Sequence, residues 1–150
     1  MSDRVMGWKN THPFAAIVGL GIVLYFIAER VPLINGLVGW IVLISMPILW
    51  SRWNASALTS RESPVGYAVG IGVLVGALVD LIGAILNTIF LGIVTVLFQS
   101  MGNATGLAGA TGAGLITTFS IVHWFIAPFV GGFLGALGGL IGGASLPRSR

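Results

Sequence analysis

The sequence predicts an all-α protein that crosses a membrane several times as a helical bundle, with four spans favoured and five as the alternative. Three observations carry this. Of 150 residues, 56% are hydrophobic and 7% charged, whereas a soluble domain keeps about 25% charged residues to wet its surface. Every charged residue except Asp80 falls at the end of an apolar run or between two runs, the layout a hydrocarbon slab imposes. Glycine also recurs at four-residue spacing in the later runs, where small residues let helix backbones approach in lipid.

Helix 1 is expected over residues 13–28. Pro13 suits a first helical position, Thr11 can cap, and His12 either caps the helix or meets lipid headgroups. Sixteen residues reach only about 24 Å, so this span is short. Arg4 and Lys9 precede it as in a signal peptide, but residues 27–32 offer no small-x-small cleavage site, and the helix reads as an uncleaved anchor. Glu29 and Arg30 mark a tight turn. Helix 2 follows over 32–50, with a kink expected at Pro47. Residues 51–63 hold Arg52, Arg61 and Glu62 and read as a membrane-surface loop, flanked by an aromatic belt of Trp8, Trp50, Trp53 and Tyr67.

The third apolar run, 64–98, would be about 52 Å long as one helix, against a hydrocarbon core of roughly 30 Å. Residues 99–114, rich in Gly, Ala, Thr, Ser and Asn, read as a loop or as a short small-residue helix. The last run, 115–144, is divided by Pro128 into an aromatic half and a glycine-rich half. Counting Lys and Arg in the connections arbitrates the long run. A single crossing puts Arg4, Lys9, Arg52, Arg61, Arg148 and Arg150 inside and only Arg30 outside; a double crossing moves the last two arginines outside. The first arrangement is preferred, with both termini inside, in a cytoplasmic or a virion membrane.

Two helical faces stand out. Gly72, Gly76, Asp80, Gly83 and Asn87 share one face of the third run and predict a seam buried in protein. In the last run His123, Ala127, Gly131, Gly135, Gly139 and Gly143 lie four apart, a ridge of small residues, while Gly138 is expected toward lipid. Asp80 at mid-run must be protonated or partnered. It is either a structural clasp or a proton or cation site, and antiparallel helices would let it meet His123. Asp80, Asn87 and His123 are thus the expected buried polar residues. Of the two Asn-x-Ser/Thr triplets, the favoured topology leaves Asn103 outside as a possible glycosylation site and Asn54 inside.

Several chemistries are excluded. Seven scattered basic residues form no stripe for a phosphate backbone, despite a pI near 10.2, so no nucleic-acid partner is expected. Without cysteine there is no disulfide or thiolate chemistry, and two histidines with four scattered acids predict no metal site and no cofactor. No catalytic triad, phosphate-cradling loop or paired carboxylates appear, and the chain is not expected to be an enzyme.

The turn at residues 32–39 (PLINGLVG), the stretch from Gly66 to Gly76 and the run at 131–135 (GGFLG) resemble the small, glycine-rich four-helix membrane proteins of unknown function found in halophilic archaea. That resemblance implies a fold without an activity or site residues. The leading functional expectation is a structural or packing subunit that associates with itself, as a homo-oligomer, or with other membrane-protein subunits through its glycine faces, with lipid around it. The alternative is a small transporter or channel component using Asp80. A third reading takes residues 133–144 as a membrane-perturbing segment that resembles fusion peptides.

Overall fold

The computed structural model describes residues 12–30, 35–100 and 107–146. Among these, every regular element is helical: α1 (Pro13–Ala28), α2 (Asn35–Trp53), the short α3 (Ala55–Thr59), α4 (Pro64–Ser100) and α5 (Leu107–Ala144). Helices α2, α4 and α5 each contain a stretch long and apolar enough to cross a membrane, and α1 is a shorter apolar helix of 16 residues. These helices are consistent with an integral membrane protein.

Pro13 opens α1 as expected, but His12 at the cap position makes no side-chain cap; its carbonyl simply accepts the first helical bond, from the Ala16 amide at 2.9 Å. Helix α2 continues through Pro47 and past Trp50 to Trp53. The Pro47 carbonyl accepts a hydrogen bond from Ser51 Oγ at 2.9 Å, and the Trp50 carbonyl near the helix end accepts both the Asn54 amide at 3.0 Å and Asn54 Nδ2 at 2.9 Å. The expected surface loop after residue 50 is therefore largely helical. Trp50, expected in the interfacial belt, is instead 7% exposed in the core, with its ring 6.2 Å from that of Tyr67.

The expected loop at 99–114 is also corrected. Helix α4 runs to Ser100 and α5 begins at Leu107. Glycine costs about 1 kcal/mol per residue in a helix, but apolar surroundings offer the backbone no outside partner, and the helix is how it satisfies itself. Pro128 likewise lies within α5 and does not end it.

The helices alternate in direction. Gly21 of α1 packs on Val79 of α4 and Tyr25 on Gly83 further along, so these two run the same way. Gly72 meets Gly135 and Gly76 meets Gly131, making α4 and α5 antiparallel, while Gly138 meets Ile44 and Gly142 meets Ile48, making α2 and α5 parallel. Ile17, Leu43, Leu58, Val75 and Val79 fill the core between them. The outer faces are bulky and apolar, with Phe125, Phe129 and Phe133 at 73%, 78% and 66% exposure on one side of α5. Arg30 and Phe26, at the end of α1, meet Asn87 and Phe90, and α4 then continues for the ten residues from 91 to 100, about 15 Å.

Candidate functional site

The site begins with a backbone seam. A methyl group added to Gly76 or Gly135 would overlap the carbonyl of Gly131 or Gly72, respectively, and one on Gly139 would overlap that of Ala68. Gly143 lies against Val65 and Ala68. Gly72, Gly76, Gly131, Gly135, Gly139 and Gly143 thus face a neighbouring helix of the same chain. Gly138, expected toward lipid, is buried against the Ile44 backbone of α2, because α5 packs on α2 with the flank next to its α4 seam.

At one end of this seam the chemistry changes. Asp80 is 2% exposed, its Cβ lying against Gly131. The Tyr25 hydroxyl donates to Asp80 Oδ1 at 2.8 Å, a bond joining α1 to α4 across 55 residues of sequence. Gly83 is what admits the phenol: the Tyr25 ring covers it where any side chain would collide. Gly39 of α2 performs the same service on the other side, where an added methyl would stand 3.1 Å from Tyr25 Cε2 and 3.4 Å from Glu29 Oε1. Tyr25 and Glu29, one helical turn apart, therefore lie side by side against Gly39.

Asp80 is thus buried as expected, but its hydrogen-bonding partner is Tyr25 rather than His123. His123 is exposed, which corrects its place among the buried polar residues. Residues four apart advance about 40° around an α-helix, so the row from Gly143 back to His123 winds steadily, and its last member lies beyond the α4 seam. The neighbouring Trp124 faces α4 instead, its Nε1 donating to Thr88 Oγ1 at 3.1 Å.

Asn87 is half-buried and accepts a hydrogen bond from Arg30 Nη1 at 2.6 Å. The guanidinium lies over the Phe90 ring at 3.9 Å and the Phe26 ring at 4.4 Å. The two rings meet edge to face at 5.9 Å. Cation–π contacts of this kind contribute about 0.5 to 2 kcal/mol and let a cation sit among apolar side chains.

Tyr25, Glu29 and Arg30 were not singled out by sequence as parts of a site. One signal was available: Tyr25 is the only tyrosine within the first apolar run, and Glu29 follows it at helical spacing. Asn103 lies outside the described residues, whereas Asn54 is occupied with the Trp50 carbonyl. Among the described residues no group of His, Asp and Glu is arranged to hold a metal ion. Comparison with family models, with curated proteins and with solved structures finds no match to this chain.

Proposed function

We propose that this protein is a structural subunit of a membrane assembly, a rigid multi-pass bundle surrounded by lipid and by neighbouring subunits. The observation that supports it most is the α4–α5 seam, where two long helices lock backbone to backbone and present a bulky apolar exterior. Because the glycine faces are occupied within the chain, association with a second copy or with other subunits falls to the outer faces. The chain spans four times, with α1 as the short span and both termini on the cytoplasmic side.

Copurification from a mild detergent tests the subunit reading. A stoichiometric partner or a defined oligomer supports it, and a monodisperse monomer without partner overturns it. Topology is read by labelling single cysteines, the native chain having none. Cysteines replacing Ser2, Ser56 and Ser149 label from the cytoplasmic side and one replacing Thr105 from the other; external labelling at position 149 rejects the four-span arrangement.

A second reading draws support from Asp80. A carboxyl group at this burial, bonded to a phenol that lies beside Glu29, suits a small transporter or channel component that handles protons. In reconstituted vesicles, Asp80→Asn then abolishes proton flux while assembly persists; flux equal to that of the unaltered protein rejects this reading.

A further inference from the structure

We propose that Glu29, Tyr25 and Asp80 form a proton-transfer chain through which the buried Asp80 exchanges its proton with water at the α1–α2 turn. The proposal rests on the second reading above, that Asp80 holds an exchangeable proton, and adds the route.

The argument is one of counting hydrogens. A phenol has one proton to donate and can also accept, whereas an ionised carboxylate only accepts. Tyr25 spends its proton on Asp80 Oδ1 at 2.8 Å. The Glu29 carboxylate, which lies beside the same phenol at Gly39, is then left without a donor from it. One added proton satisfies all three groups: Glu29 donates to Tyr25 Oη, and Tyr25 donates to Asp80. The mirror arrangement is equally complete, with Asp80 donating to Tyr25 and Tyr25 to Glu29. The two interconvert when the Glu29 proton moves to Tyr25 Oη as the Tyr25 proton moves to Asp80 Oδ1. One O–H bond breaks and one forms at each step, and the phenol ends neutral.

Position gives the chain a direction. Asp80 is 2% exposed, but Glu29 is the residue following α1 and is only half-buried. Glycine at positions 39 and 83 holds the phenol from both sides, with Glu29 Oε1 on the Gly39 side and Asp80 at the hydroxyl. Of the other charged or titratable groups on the neighbouring elements, Arg30 in the turn is engaged by Asn87 and the Phe26 and Phe90 rings, and His123 of α5 is exposed.

The test is the infrared stretch of the protonated carboxyl in the intact protein, reconstituted in vesicles and transferred to deuterated buffer. Asp80→Asn removes the buried-carboxyl band if Asp80 holds the proton; no change in the band overturns the reading on which the route depends. With the band assigned, Tyr25→Phe and Glu29→Gln each slow its deuterium shift by about tenfold or more, the effect of roughly one lost hydrogen bond on a barrier. Exchange as fast as in the unaltered protein in both variants overturns the route while leaving Asp80 as the proton site. Trp fluorescence and melting of each variant establish that the fold persists, and Gly92→Ala, at an open position away from the chain, serves as the control with unchanged exchange.

Discussion

Two of the contacts that α4 makes along its length are built on different principles. Toward α5 its seam is mostly bare backbone, with Gly72 on Gly135 and Gly76 on Gly131. Toward α1 it offers Gly83 to a phenol, Asp80 to a hydroxyl and Asn87 to a guanidinium. The difference teaches where rigidity and where chemistry are placed. In lipid, helices gain nothing from excluding water, so a close backbone fit supplies the lasting attachment. Polar contacts between helices are worth only about 0.6 to 2 kcal/mol there, and the α1 contact is correspondingly the easier one to disturb.

The comparison breaks most clearly at the glycines. Gly76→Leu and Gly135→Leu must force α4 and α5 apart at their carbonyls, so the loss exceeds the roughly 3 kcal/mol upper range of ordinary overpacking. Gly138→Leu does the same to the α2–α5 contact at Ile44, whereas Gly92→Leu, with open space around it, changes stability little. Unfolding titrations in detergent check the series, and equal tolerance at positions 76 and 92 would show that the seam carries no load. Next in size is Asp80→Leu, which removes the acceptor of the Tyr25 hydroxyl at a cost of about 1 to 3 kcal/mol, while Asp80→Asn keeps an acceptor and loses less than about 1.5 kcal/mol. Melting temperatures of the two variants separate them. The smallest effect belongs to Glu29. Burial holds its carboxyl above the ordinary value of about 4.5, despite the opposing pull of His123. The folded state therefore binds this proton more tightly than the unfolded chain, and stability falls as pH rises from near 4.5 through the raised value. Glu29→Gln removes that slope, which denaturation at a series of pH values detects.

The α4–α5 seam was legible in the sequence because it is a pattern of a single residue type at a single spacing. Reading Gly131, Gly135, Gly139 and Gly143 requires no knowledge of where the partner helix comes from. The α1 contact was not legible, since the Tyr25–Asp80 bond depends on how two segments 55 residues apart are juxtaposed. Depth misled the choice of partner for Asp80: His123 lies on the helix of the glycine seam but beyond it, whereas the partner comes from α1, and Glu29 reads as a turn marker. Gly138 shows a related limit. A hydropathy pattern distinguishes polar from apolar faces, but in a chain apolar on every side it cannot distinguish a face turned to lipid from one turned to another helix. Residues 99–114 read first as a loop, with a short helix as the alternative, and the extension of α4 to Ser100 and the start of α5 at Leu107 favour helix there, since small polar residues signal a turn in water and are compatible with a helix elsewhere.

One feature of the architecture reaches beyond the protein itself. Near Pro64 the bundle includes α1, α2, α4 and α5, whereas past Phe90 the described contacts of α1 have ended and α4 runs on for about 15 Å. At about 55 Å, α4 exceeds a hydrocarbon thickness of roughly 30 Å, a mismatch that membranes relieve by helix tilt or local thickening. In a bilayer that relief would fall to α4 and the lipid around it, which makes membrane thickness the variable to which this helix is expected to respond.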